Sequence, residues 1–150
     1  MTRMDNAAVV LPAVMQGLHA LQRAVEAELP TTVIALVQVR ASQINSCSVC
    51  VDAHLWEMRK SGETDERMGT IAVWRDTPYF SDSERAALAL TEAVTRIADT
   101  PDPVPDAIWG EAAKHYNPTE LAALLVAIAS INVWNRLNVA TRQLAGWRPA

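Results

Sequence analysis

The chain has 150 residues, half of them apolar and a fifth charged, with a formal net charge of −4. That length fits one domain, residues 1–150, with a core large enough to fold without staples, and the composition is globular, not disordered or fibrous. The 13 Lys and Arg are scattered, with no basic run, so no nucleic-acid partner is expected; phosphate neutralisation needs a stripe of cations.

The targeting signals are equally weak. Residues 7–15 are mostly apolar and follow Arg3. Asp5, Pro12 and the want of a small-residue cleavage site argue against a secretory leader. The apolar run Leu121 to Ile131 is shorter than the roughly 20 residues that cross a bilayer. A cytoplasmic location and no membrane partner are the expectation. In a reducing cytosol a C-x-x-C pair is seldom a permanent structural bridge.

Five glycines in 150 residues, with Ala and Leu plentiful, favour helix throughout. A first helix is predicted over about 6–28, with Leu18, Leu21 and Val25 on one face. Pro30 opens a second, in which Val33, Ile34, Val37 and Ala41 repeat at helical spacing. Asn45-Ser46 breaks or kinks it, and Ser46 is a reasonable N-cap for a third helix from Cys47 to about Ser61, ended by Gly62. A short helix is predicted over about 65–74, capped by Thr64 or Asp65. Ser81-Asp82-Ser83-Glu84 is a capping-box pattern that starts a helix over about 82–98. The proline-rich segment Thr100 to Pro105 is a loop, followed by a helix over about 106–114. Asn117-Pro118-Thr119-Glu120 supplies cap, proline and acid for the last and longest helix, about 118–144, with Gly146 beyond it. Its first half is apolar on most sides, which marks a buried helix. The fold class is therefore all-α, a bundle of about six to seven helices.

The residues that carry chemistry are Cys47, Cys50 and His54. At the start of a helix, side chains three and four apart share a face, so the two thiols are neighbours and the imidazole reaches Cys50 more easily than Cys47. Unpaired N–H groups in the first turn favour thiolate and lower a thiol pKa from about 8.5 toward about 3.5–7.5; the charge of Asp52 opposes this. On that geometry Cys50 is the attacking, peroxidatic thiolate, His54 its base or proton donor, and Cys47 the resolving thiol. A hydroperoxide would oxidise Cys50 to a sulfenic acid, Cys47 would close a disulfide with loss of water, and an external dithiol would enter at Cys47.

Spacing alone leaves two other readings open. Free cysteines are often buried core residues. Two thiolates and an imidazole also make three zinc ligands, but three ligands within eight residues of one helix do not readily surround a tetrahedral ion. No G-x-S-x-G, G-x-G-x-x-G or P-loop occurs. Trp56, Trp74, Trp109, Trp134 and Trp147 are read as core or interface packing. Trp134-Asn135-Arg136 is read as a buried Asn–Arg pair in a structural network or subunit contact, in preference to a direct part in the chemistry.

The run Arg40-Ala41-Ser42-Gln43-Ile44-Asn45-Ser46-Cys47-Ser48-Val49-Cys50-Val51-Asp52-Ala53-His54 resembles the core of the alkylhydroperoxidase D (AhpD)/carboxymuconolactone decarboxylase family. Phe80-Ser81, Glu84-Arg85-Ala86-Ala87-Leu88 and Ile131-Asn132-Val133-Trp134-Asn135-Arg136-Leu137 fit it too, so the match runs over most of the chain from about residue 30. The likeness is to the single-domain, peroxidase-related branch. It implies an all-helical AhpD-like fold assembled as a homotrimer or homohexamer. It also implies a peroxidase for small hydroperoxides, with no cofactor or metal of its own and an external dithiol or thiol protein as reductant. Cys50 falls on the peroxidatic position, Cys47 on the resolving one and His54 on the relay histidine. The family's relay glutamate, twelve residues before the first cysteine, falls on Ala35. Glu57, three after His54, is the candidate stand-in; Gln38 or Gln43 would orient the ring without passing protons. Since acid–base assistance is worth about 10²- to 10⁴-fold, the resemblance predicts a slow peroxidase or a protein whose main reaction is dithiol exchange or redox sensing.

Overall fold

Helix is the regular structure throughout residues 1–146, the part of the chain that the computed structural model describes; Trp147 and the end of the expected 1–150 domain lie outside it. Eight α-helices follow one another: α1 (Ala7–Val10), α2 (Pro12–Glu26), α3 (Thr31–Ile44), α4 (Ser48–Lys60), α5 (Asp65–Thr70), α6 (Asp82–Thr95), α7 (Asp106–His115) and α8 (Pro118–Thr141). A 3₁₀ segment, Ile71–Asp76, continues from α5.

The predicted first helix is two. Pro12 lacks the N–H that would continue the ladder, and the residue before a proline is pushed out of the helical region; Leu11 sits at φ −116°, ψ 84°. Leu18 and Val25 are buried as expected, but Leu21 is 42% exposed, so the α2 stripe facing the core is narrower than the sequence suggests. Three of the predicted caps are used as expected. Thr64 Oγ accepts the Arg67 N–H, and Ser81–Glu84 and Asn117–Glu120 each close a reciprocal capping box.

α3 is the central element, lying against α4, α6 and α8. Its Val33, Ile34 and Val37 join Leu90, Leu124 and Ile128 in one apolar cluster. Its Leu36 and Val39 face the other way, joining Met58, Ile71, Phe80 and Leu88. A helix buried on both sides loses the one-sided patterning of a surface helix. α8, at 24 residues, is long and apolar enough to cross a membrane by length and composition; here it packs on α2, α3 and α6.

Charge knits the surface of this core. Buried Glu92 on α6 takes Arg40 Nε at 2.8 Å, Arg75 Nη1 at 2.7 Å and the Trp74 indole N–H at 3.0 Å, tying α3, the 3₁₀ segment and α6 together. Burial pushes the Glu92 carboxyl up, but the hydrogen bonds from Trp74, Arg75 and Arg40 outweigh it and hold the group below the ordinary carboxylate range. At the other end of the chain, the Arg3 N–H meets the Thr141 carbonyl at 2.9 Å. The N-terminal segment is thereby strapped to the end of α8.

Candidate active site

The site begins where α3 stops. The Ser46 N–H reaches Gln43 O at 3.2 Å and the Cys47 N–H reaches Ser42 O at 2.9 Å, the two bonds of a Schellman motif. Its left-handed position is filled by Ser46 at φ +56°, where glycine is the usual residue. Ser46 therefore closes α3; the N-cap of α4 is Cys47, one residue later than predicted. The turn is pinned from α8: Asn45 Nδ2 donates to Asn132 Oδ1 and Asn135 Oδ1, each at 2.9 Å. Asn135 Nδ2 donates in turn to Ser42 Oγ at 2.9 Å. Asn135 is fully buried in this network. Arg136 is exposed and donates to Asn132 Oδ1, the oxygen that also accepts from Asn45, so Asn135 is buried in the expected structural network while Arg136 joins it from the surface.

With Cys47 as cap, Cys50 is the third residue of α4, still among the unpaired N–H groups of the first turn. The two cysteines are joined in a disulfide, their Cα atoms 5.3 Å apart, and both residues are buried, at 1% and 4% exposure. A surface cavity of about 250 Å³ is lined by Cys47, Val49, Val139, Arg142 and Leu144 among others; Cys47 forms part of its wall while remaining almost fully covered. Asn138 of α8 lines the same cavity and donates Nδ2–H to Cys50 Sγ at 3.3 Å.

His54 lies one turn after Cys50, its Nδ1 3.4 Å from Glu57 Oε2. The His54 contact, followed by the charge of Lys60, lowers the Glu57 carboxyl against the opposing effect of partial burial. Ala35 is partly buried on α3. Beside it lies a second cavity, of about 280 Å³, whose lining includes Gln22, Gln38 and Glu57. Glu57 thus brings a carboxylate from α4 to the space that a longer side chain at position 35 would enter. Gln38 is turned to Gln22, with Nε2 donating to Oε1 at 3.2 Å, and Gln43 accepts from Arg40 at 3.2 Å. Among the described residues no group of three or more His, Cys, Asp and Glu is placed to hold a metal ion.

Asn138 escaped the sequence reading, although a signal for it exists. Asn132, Asn135 and Asn138 recur every third residue along a helix that is mostly apolar, and such a polar stripe needs partners. Of the tryptophans, Trp74 is buried whereas Trp109 is 41% exposed.

A model of the carboxymuconolactone decarboxylase family matches residues 11–93. The uncharacterized protein YdfG of Bacillus subtilis is 34% identical over 115 residues, 77% of each chain. YnjA of Escherichia coli, also uncharacterized, is 33% identical over 112 residues, 75% of this chain and 60% of its own. A crystal structure of an Agrobacterium tumefaciens protein of unknown function, put forward as the antioxidant defence protein AhpD, superposes with a TM-score of 0.90. It is 34% identical and the match covers 99% of this chain and all of the other. The debrominase Bmp8 shares the fold at a TM-score of 0.79 and 18% identity, over 90% of this chain and 72% of its own. The all-helical AhpD-like architecture, the family model and the third-identical relatives agree: the chain belongs to the carboxymuconolactone decarboxylase family.

Proposed function

We propose that the chain is a thiol-dependent alkyl hydroperoxide reductase. The Cys50 thiolate attacks the terminal peroxide oxygen, the O–O bond breaks, and the alkoxide leaves as alcohol with a proton from His54. Cys50 is left as sulfenic acid. The Cys47 thiol displaces its oxygen as water and closes the disulfide; an external dithiol or thiol protein restores both thiols. Glu57 orients His54 and, as a carboxylate, favours the protonated ring that serves as the donor.

The observation that carries this reading is the Cys47–Cys50 bond at the head of α4, in a chain whose family and fold relatives include one put forward for antioxidant defence. The test mixes fully reduced protein with an organic hydroperoxide and follows thiol loss and peroxide consumption together. Loss of both thiols for one peroxide, abolished by Cys50→Ser, is expected. Thiols that survive peroxide for hours yet react quickly with a small disulfide would replace the peroxidase by dithiol exchange or redox sensing. Ala35 favours that second reading, because α3 supplies no acid to His54.

Exposed Val9, Val10, Leu11 and Val14 near the N-terminus, with Val133 on α8, offer apolar surface that assembly into a homotrimer or homohexamer would cover. We place the reaction in the cytoplasm, where reducing dithiols are abundant.

A further inference from the structure

We infer that Asn138 is a catalytic residue, an amide donor that stabilises the Cys50 thiolate, and that Asn6 is its positioning residue. The inference rests on Cys50 being the reacting thiol.

The orientation of both amides follows from one backbone group. Asn6 caps α1, and its Oδ1 accepts the Ala8 N–H at 2.8 Å. A backbone N–H is only a donor, so the Asn6 oxygen must face it and the Asn6 Nδ2 must face outward. That Nδ2 donates to Asn138 Oδ1. With its oxygen so engaged, Asn138 presents Nδ2–H, and not Oδ1, to Cys50 Sγ at 3.3 Å. The chain Ala8, Asn6, Asn138, Cys50 therefore delivers a donor of fixed sense to the sulfur from elements remote in sequence.

A disulfide sulfur is a weak acceptor, whereas a thiolate carries a full charge. The same N–H therefore gains strength when Cys50 becomes the thiolate. It does so twice per turnover: before attack on peroxide, and when Cys50 is expelled as the leaving thiolate on reduction. Asn138 also borders the cavity that Cys47 lines, so it stands between open space and the buried Cys50.

The test uses the full chain with Cys47→Ser, which leaves Cys50 as its one thiol. Alkylation by iodoacetamide is followed against pH, and the midpoint reports the thiol pKa. No variant alters an ionisable side chain of the neighbouring elements: His54 and Asp52 on α4, Arg142 past the end of α8 and Arg3 of the N-terminal segment are kept, as is Arg40 on α3, held by Glu92. Asn138→Ala is expected to raise the midpoint by about one pH unit, a tenfold loss of thiolate below it. Asn138→Asp, nearly the same shape, turns donor into charged acceptor and is expected to raise it further. Asn6→Ala, which alters neither α4 nor α8, is expected to raise it by less. A midpoint unchanged in both Asn138→Ala and Asn6→Ala, or one lower in Asn138→Asp than in Asn138→Ala, overturns the inference. Melting curves on the same samples identify any variant that has not folded, and Asn6→Ala decides the matter if the Asn138 variants fail to fold. Alkylation requires no peroxide, so failure of the peroxidase reading and failure of this one are separately visible.

Discussion

Ala35→Glu is the perturbation that bears most directly on rate. The side chain adds Cγ and a carboxyl group, and a cavity of about 280 Å³ already lies beside Cβ, so little repacking is required. The carboxylate enters the space that Glu57 lines, and Glu57 is in contact with His54 at 3.4 Å. That distance is long for a charge-assisted bond, and Glu57 is two-thirds exposed, so solvent screens and mobilises the acid that the wild-type site relies on. A carboxylate held inside the cavity would orient the ring continuously. With general acid–base help worth about 10²- to 10⁴-fold in full and part of it already supplied by Glu57, a gain of about 10- to 100-fold in kcat/KM for an alkyl hydroperoxide is expected. The assay couples peroxide loss to a small dithiol under conditions where reduction is not limiting. Glu57→Gln supplies the control: it should cost about tenfold in the wild type and little in the Ala35→Glu background, a coupling that reports a shared role. If Ala35→Glu folds and leaves the peroxide rate unchanged, the missing α3 acid is not what limits the reaction, and the relay argument fails.

Glu92→Gln should destabilise by about 3 kcal/mol, the low end for breaking a buried ion pair because Arg75 and Arg96 remain half-exposed; calorimetry should show Tm lower by about 6–12 °C. The same carboxylate sets an acid limit. Its pKa is lower folded than unfolded, so its contribution is complete above about pH 4.5 and is lost as pH falls through the folded value; urea midpoints should fall with acid in the wild type and less in Glu92→Gln. Asn135→Leu removes a buried amide from the Ser42–Asn45 network and should cost about 1–3 kcal/mol, with faster exchange of the Cys47 amide hydrogen, whose partner is Ser42 O.

Helix class, caps and the cysteine pair were readable because each is a local signal. Ser81–Glu84 and Asn117–Glu120 announce their helices within four residues, and C-x-x-C-x-x-x-H announces a reactive face within eight. The misplacements are equally physical. Ser46 carries the composition of an N-cap, but its φ of +56° makes it the C-terminal residue of the preceding turn, a choice decided by the Asn45 contacts to α8. The split at Pro12 was open to the proline rule, whereas the exposure of Leu21 depends on how far α2 is covered. The amides at Asn132, Asn135 and Asn138 meet residues about ninety and more positions away, and no local pattern names those partners. Arg136 shows the reverse: a charged residue beside a buried Asn need not be buried itself, since neighbours on a helix point 100° apart.

Burial of both cysteines turns access into part of the mechanism. Thiol–disulfide exchange needs a thiolate approaching one sulfur while the other leaves. The cavity of about 250 Å³ borders Cys47, and Cys50 meets the Asn138 amide, so attack at Cys47 expels Cys50 toward a waiting donor. The opposite direction would seat the incoming group behind Asn138 and leave Cys47 as the departing thiolate at the helix cap. Val139, 46% exposed on the wall of the cavity, allows a test that leaves the sulfurs alone. Val139→Trp places an indole in the opening and, being a surface change, should shift Tm little. Reduction by a small dithiol should slow about tenfold, a barrier increase of about 1.4 kcal/mol, and by a thiol protein more. Slower reduction with an unchanged midpoint for Cys50 alkylation would assign entry to this opening and keep it distinct from the electronic role of Asn138. An unchanged reduction rate would mean that the reductant reaches the pair by another path, with attack at Cys50, which is 4% exposed, the alternative and Cys47 the leaving thiolate.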